Sequence, residues 1–355
     1  MAKRTTNPFL SRSFQRTLNA MTRTAIRVGT KTLKKALHTP PAVTKPPAAK
    51  KTPSKPLPTT AVGQWTAGSA SGVAGAKRYR LFKPPGGQRG ERLPLLVMLH
   101  GCLQDAQDLA DVSQMNRIAA RERFFVLYPE QDRLSNAQRC WNWFETRSGR
   151  AQSEADAINA TIDQVCLKQA IDPGRMALAG ISAGASMATL MVTRHPARFQ
   201  AVAMHSGIGP GVAYSSITAF GAMRGQKQPG LPLAVLPDGV HLPALLVIQG
   251  SADSTVAPSN GPQAARQWAN TEGAKPGPPR AVQRGARYAA SVTDFKVGSR
   301  LVSTLCEVRG LGHAWSGGAS GCSYSDPKGP DASRMIWTFV SKQFTRTRQT
   351  ITHPG

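Results

Sequence analysis

Gly180-Ile181-Ser182-Ala183-Gly184 is the segment of this chain with the clearest chemical meaning. It lies between an apolar run at 176–179 and a helix-compatible run at 186–192, so Ser182 falls on a strand-to-helix turn. Small flanking residues let the backbone turn sharply there and leave the hydroxyl exposed. This context predicts that Ser182 is a nucleophile, although a glycine turn with a structural serine uses the same five residues. A serine hydroxyl is weakly nucleophilic at neutral pH and needs a base, which in turn needs an orienting group. Among seven histidines, His313 lies inside the glycine-rich loop Gly310-Leu311-Gly312-His313-Ala314-Trp315-Ser316-Gly317-Gly318, after a strand-like run. His38 and His353 lie towards the termini, His195 closes the helix after Ser182, and His205 and His241 lack such a loop. His313 is therefore the expected general base and acid. Asp253 follows the apolar run 245–248 through Gln249-Gly250-Ser251-Ala252 and is the expected orienting acid, a role that Asp294, Asp326 and Asp331 fit poorly by their positions.

Attack on an acyl carbon creates an oxyanion, which needs converging backbone donors. One expected donor is the amide of Ala183, directly after the nucleophile. The other is the amide of Cys102, in His100-Gly101-Cys102-Leu103-Gln104 after the run 95–99. Trp141, Trp143 and Trp315 could wall an apolar cleft, with Asn142 or Gln104 as polar contacts; filling of core space is the competing reading for the tryptophans. No phosphate-binding loop or dinucleotide fingerprint is present, and the five cysteines form no close-spaced cluster. The expected chemistry therefore uses no cofactor and no metal.

These residues need a scaffold, and the chain alternates apolar runs with helical spacing. Strand signals fall at 78–83, 95–99, 124–128, 176–179, 201–204, 245–248 and 302–308, and helix signals at 155–167, 186–192 and 334–344. Apolar strands without strict alternation, separated by helices, predict a mostly parallel sheet covered on both faces, a three-layer α/β sandwich. Its reactive loops should follow the carboxyl ends of the strands. The chain order Ser182, Asp253, His313 is the order expected of an α/β-hydrolase.

The charge is concentrated elsewhere. Of 45 Lys and Arg, thirteen lie in residues 1–60, where no acid occurs, although the whole chain has 355 residues. Residues 1–39 read as a basic arm: Phe14, Leu18, Met21, Ala25 and Val28 fall near one side of a helix, blurred by Gly29 and Leu33. A basic amphipathic helix on an anionic or apolar interface and a weakly structured basic arm fit equally well. Residues 40–69 read as a Pro- and Lys-rich linker, residues 70–345 as the catalytic domain and residues 346–355 as a flexible tail. No run of 18 apolar residues occurs, so no transmembrane segment is expected.

Together, Leu99-His100-Gly101-Cys102, Cys140-Trp141-Asn142-Trp143-Phe144, Gly180-Ile181-Ser182-Ala183-Gly184-Ala185-Ser186-Met187 and the His313 loop resemble the catalytic domain of polyhydroxybutyrate depolymerase family esterases, relatives of feruloyl and acetylxylan esterases. The resemblance spans roughly residues 78–344. It implies Ser182 as nucleophile, Asp253 as acid, His313 as base, and Cys102 and Ala183 as oxyanion donors. It also implies a Cys102–Cys140 disulfide; Cys306 with Cys322 is a second candidate pair. Where the family usually carries a histidine before the glycine ahead of the acid, this chain has Gln249-Gly250.

The expected activity is a serine carboxylester hydrolase acting on polyhydroxyalkanoate polymer or oligomers. Feruloyl, acetylxylan or short-chain acyl esters are the alternative substrates, and a basic surface- or nucleic-acid-binding scaffold is the non-enzymatic alternative. Residues 1–60, the arm with much of the linker, are the expected contact for a granule or anionic surface. An uninterrupted apolar stretch of a secretory leader is absent near the start, which favours a cytoplasmic or granule-associated protein. Disulfides and the resemblance favour an extracellular or periplasmic one.

Overall fold

The computed structural model describes residues 63–72, 75–226 and 240–352. The basic arm and the linker before residue 63 lie outside the described residues. Six strands run parallel side by side, in the order β4 (Phe125–Pro129), β3 (Leu93–Leu99), β5 (Ile171–Ile181), β6 (Ala201–His205), β7 (Ala244–Gly250) and β11 (Arg300–Val308). Antiparallel strands extend both edges. At one edge β2 (Gly75–Lys83) joins β4 and β1 (Gln64–Gly72) joins β2; at the other, β10 (Ala290–Val297) joins β11 and is itself paired by β8 (Lys275–Pro276) and β9 (Arg280–Val282). A separate two-stranded ladder links β12 (Trp315–Ser316) to β13 (Ser325–Asp326).

The central strands are buried along their whole length because helices cover both faces. Alternate positions Leu96 and Met98, Ala177 and Ala179, Leu246 and Ile248 share one core cluster with Leu109 of α1 (Ala106–Ser113), Met115 of α2 (Met115–Glu122) and Ile336 and Val340 of α7 (Ala332–Thr352). The strand alternation turns Leu95, Val97 and Leu99 to the opposite face. There α3 (Arg150–Lys168), α4 (Ala183–Arg194) and α6 (Asn260–Asn270) pack. Gly261 of α6 lies so close to Val247 and Gln249 that a Cβ would collide with the Gln249 side chain. Each fully buried Leu, Ile or Val contributes about 1.5–3 kcal/mol relative to its exposed state. A short helix, α5 (Ser216–Met223), follows β6 and is capped by Ser215, whose hydroxyl accepts the Thr218 amide.

Parallel register decides where the chemistry gathers. Leu99 pairs with Gly180, Ile181 with His205, His205 with Ile248, and Gly250 with Val308. The loops at 100–104, 182, 251–256 and 309–318 therefore all leave one edge of the sheet. The three-layer α/β sandwich expected from the sequence is the observed architecture.

Two boundaries differ from the sequence reading. β1 opens at Gln64, inside the stretch read as linker, because residues 64–72 find a full antiparallel partner in β2 and Trp65 packs edge-on against Tyr128. α7 continues to Thr352, into the stretch read as a tail. Among the described residues, no helix is long and apolar enough to cross a membrane.

Candidate active site

Ser182 sits at the β5–α4 junction with φ 56° and ψ −125°, a left-handed backbone that costs a non-glycine residue of order 1–3 kcal/mol. Its amide donates to the His205 carbonyl at 2.9 Å, which ties the strained turn to the end of β6. The two motif glycines permit the crossing. A Cβ on Gly184 would run into the carbonyl oxygens of Leu99 and His100, and one on Gly180 would lie 2.5 Å from the Gly184 carbonyl.

His313 bridges the other two expected residues. Its Nε2 lies 3.0 Å from Ser182 Oγ and its Nδ1 2.8 Å from Asp253 Oδ2. The Asp253 side chain is buried, and its second oxygen accepts the amides of Thr255 at 3.0 Å and Val256 at 2.8 Å. Burial alone would raise the Asp253 pKa; the His313 hydrogen bond and charge, with the two amides, outweigh it and hold the carboxyl below its usual range. Asp253 thus stays ionised and fixes the Nδ1–H tautomer of His313, leaving Nε2 free to take a proton from Ser182. Gln249, which stands where the family usually has histidine, aims Nε2 at Asp253 Oδ2 from 3.4 Å and donates to the Val256 carbonyl at 3.2 Å.

The Cys102 loop abuts Ser182: a Cβ on Gly101 would lie 3.5 Å from Ser182 Cβ. Neither the Cys102 nor the Ala183 amide has an acceptor among the described residues, so both remain available to a developing oxyanion. The loop is braced heavily. Cys102 and Cys140 form a disulfide, Trp141 donates from Nε1 to the His100 carbonyl at 3.0 Å, the Leu103 amide donates to Gln138 O at 2.7 Å, and the Gly101 amide donates to Gln104 Oε1 at 3.0 Å. Leu103 itself adopts φ 66° and leaves its side chain exposed.

This bracing reassigns the residues expected to touch substrate. Trp141 and Trp315 are fully buried, and Gln104, Asn142 and Trp143 nearly so. Gln104 and Trp141 hold the Cys102 loop, while Asn142 bonds the buried Glu154 carboxylate through both its amide and its side chain. Trp315 donates to Ser333 Oγ at 3.0 Å and stacks on His205, and Trp143 meets Phe144 edge-on. Each side chain is committed to internal contacts and has little or no surface to offer a ligand. The second cysteine pair is not formed: Cys306 and Cys322 are free, and burial of Cys306 on β11 raises its thiol pKa to about 12, so it remains an unreactive thiol.

Two histidines that the sequence reading left without a role sit at the heart of the site. His205 accepts the Ser316 amide on Nε2 at 3.1 Å, which places its proton on Nδ1, facing Ser206 Oγ at 3.1 Å. His100 accepts the Gln131 amide on Nε2 at 3.1 Å and so donates from Nδ1 to the Gly101 carbonyl at 2.8 Å. Both rings are wholly buried, and desolvation lowers His205 to about 3, aided by the nearby His313, and His100 to about 4. They are neutral struts, one under each loop that flanks Ser182. Their only sequence signal is position, directly at or after the last residue of a parallel strand.

The chain is similar in sequence and in fold to known esterases and a depolymerase. Poly(3-hydroxyalkanoate) depolymerase C of Paucimonas lemoignei is 33% identical over 229 residues, covering 62% of this chain and 54% of that protein. Probable acetylxylan esterase A of Aspergillus clavatus is 25% identical over 207 residues, covering 53% of this chain and 65% of that protein. The chain therefore spans between about half and two thirds of the length of these relatives. The solved acetyl xylan esterase from Aspergillus awamori shares the fold, with a TM-score of 0.55 and 20% identity over 70% of this chain and 94% of that one. Residues 77–286, more than half of the sequence, match the family described as esterase PHB depolymerase, and the chain belongs to that family, within the α/β-hydrolase fold.

Proposed function

We propose that the protein is a serine carboxylester hydrolase that cleaves hydroxyalkanoate polyester or its oligomers through an acyl-enzyme. The observation that carries this reading is His313 spanning Ser182 Oγ and Asp253 within 3.0 Å on either side. In acylation, His313 Nε2 takes the Ser182 proton as Oγ attacks the ester carbonyl, and the amides of Cys102 and Ala183 receive the resulting oxyanion. Collapse breaks the ester C–O bond, and His313 returns its proton to the leaving alkoxide. Water, deprotonated by His313, then attacks the acyl-serine, releases the carboxylic acid and regenerates Ser182.

The substrate class rests on the relative named as a depolymerase, the more similar of the two compared above. The relatives named as acetylxylan and feruloyl esterases support a second reading, in which the acyl group is acetyl or feruloyl. The basic segment of residues 1–60 is proposed as the contact for a polyester granule or anionic surface, ahead of nucleic acid. A hydrolysis panel of amorphous polyhydroxybutyrate, hydroxybutyrate oligomers, p-nitrophenyl esters and feruloyl esters tests the substrate, with Ser182→Ala as control. Higher kcat/KM on feruloyl or acetyl esters than on every hydroxybutyrate substrate would overturn the polyester reading.

A further inference from the structure

Between α7 and the antiparallel edge of the sheet lies a cavity of about 680 Å3, within the range of about 300–1,000 Å3 typical of small-molecule sites. None of its lining residues belongs to the site around Ser182. One wall is helical: Arg334, Thr338 and Lys342 recur every fourth residue along α7, with Met335 and Phe339 beside them. The other is pleated: Val292, Asp294 and Lys296 alternate along β10 and point the same way.

Charge and polarity combine unusually here. Six cations line the cavity, Arg280, Arg284, Arg287, Lys296, Arg334 and Lys342, against two carboxylates, Asp294 and Asp331. Both carboxylates are engaged: Asp294 takes Arg280 at 2.9 Å and Thr304 Oγ1 at 2.7 Å, and Asp331 accepts the Arg334 amide at 2.9 Å. Arg287 is occupied by the carbonyls of Pro327 and Gly329. Arg284, Lys296, Arg334 and Lys342 remain, exposed and without an ion pair among the described residues. Beneath them Val292, Leu301 and Met335 are only partly buried although they pack against the core.

Like charges held around one cavity repel, and an anion placed among them relieves that repulsion. A bare inorganic anion would leave the apolar floor wet. A neutral lipid would cover the floor and give the guanidinium groups no partner. We propose that this groove binds an amphipathic carboxylate, its alkyl chain on Val292, Leu301 and Met335 and its carboxylate held by Arg284, Arg334 and Lys342. Arginine suits that task because its planar fork can meet a carboxylate with two parallel hydrogen bonds. Two sources share this chemistry, a plain alkyl acid and the acid released by ester hydrolysis.

Calorimetric titration of the full chain carrying Ser182→Ala tests the proposal. The probes are octanoate and the 3-hydroxybutyrate trimer acid, each beside a neutral counterpart, octyl glucoside and the trimer methyl ester, all below micelle-forming concentrations. Saturable binding of at least one acid is expected, with its neutral counterpart weaker by on the order of ten-fold or more. Adding Arg284→Glu and Arg334→Glu should abolish that binding. In the active background the same two changes should leave p-nitrophenyl acetate turnover and Tm unaltered; if the reversal unfolds the protein, the two alanine substitutions replace it. Octanoate binding alone marks the source as a plain alkyl acid, and trimer binding alone marks it as the hydrolysis product. Absence of binding by either acid, equal binding of acid and neutral probe, or binding that survives in the folded groove variant would overturn the proposal. Because the titration requires no turnover, it stands or falls separately from the proposed activity.

Discussion

On the Cys102 side of Ser182, a disulfide, the Trp141 indole and the Gln138 carbonyl fix the loop that offers the free amide. On the His313 side the fastening is noncovalent: Ser316 donates its amide to His205 and its hydroxyl to the Pro330 carbonyl, and the Gly317 amide donates to Asp326 O at 2.8 Å. Yet each loop also rests on a buried neutral histidine that uses one nitrogen as donor and the other as acceptor. Protonating either ring would turn its acceptor nitrogen into a second donor aimed at an amide N–H. The two sides should therefore respond alike to acid and differently to reduction.

Both loops flank Ser182, and removing its proposed nucleophilic hydroxyl is the most severe test of their shared role. Ser182→Ala should lower kcat on a soluble ester by roughly 10^4-fold or more while the protein stays folded, and His313→Ala should act similarly. A serine-reactive phosphonate should add one mass adduct to the parent and none to Ser182→Ala. Labelling that persists at another serine would detach both loops from the chemistry.

The disulfide comes next. It closes a loop with a sequence separation of 38, and replacing Cys102 and Cys140 together by serine should cost about 2–4 kcal/mol of stability in urea denaturation. Loss of a positioned oxyanion donor lowers kcat by about 10^2-fold or more, so turnover should fall while the Ser182–His313 contact survives and some phosphonate labelling remains. Reductant should reproduce the effect in the parent and add nothing to the double variant. Unchanged kcat in the double variant would show that Trp141, Gln104 and Gln138 hold the loop unaided.

Acid sharpens the comparison from the other direction. In the unfolded chain both histidines take up a proton near pH 6.5, whereas in the fold His100 does so only at about 4 and His205 at about 3. Between those values the unfolded state binds more protons, so the contribution of neutral burial is complete above about pH 6.5 and declines as pH falls towards 4, by on the order of 1 kcal/mol per pH unit for each histidine. His205→Gln does not titrate and can still accept the Ser316 amide, so it should flatten part of that decline. His205→Phe leaves the amide without an acceptor and should cost about 1–3 kcal/mol at pH 7. A parent stability that is level from pH 7 to pH 4.5 would remove the strut role.

What the sequence made legible were the parts whose meaning is local. Ser182 lies between two glycines at the end of an apolar run, and His313 lies in a loop of glycines, so each announces its backbone setting within a few residues. The central parallel strands were readable because burial on both faces makes them continuously apolar. His100 and His205 carry no such signal: their partners, the Gln131 and Ser316 amides, lie 31 and 111 residues away. The boundary between α1 and α2 was equally hidden, since it turns on Gln114 with φ 51°, where a glycine or proline would have marked the break. For the three tryptophans the sequence leaves cleft wall and core filling both open, because residue type alone does not distinguish an aromatic that meets a ligand from one that stacks on His205.

The smallest expected effect on turnover belongs to the region with the largest charge. Residues 1–60 hold thirteen Lys and Arg and no acid, yet among the described residues every interaction of Ser182, Asp253, His313 and the two braced loops is made beyond residue 60. β1, the first described strand, begins at Gln64, so deleting residues 1–60 stops short of the sheet. The truncated protein should keep its Tm and its kcat/KM on a soluble p-nitrophenyl ester. Adsorption is another matter, because thirteen positive charges attract an anionic surface over a reach of about 8 Å at physiological ionic strength, shortening as salt is added. Cosedimentation with polyester granules and with anionic vesicles should fall on truncation, and binding by the intact chain should weaken steadily across a salt series. Equal adsorption by both proteins would shift surface binding to the remaining domain. Loss of soluble-ester turnover together with unfolding would mean that the fold depends on residues before Ala61 and that the arm and the catalytic domain do not separate.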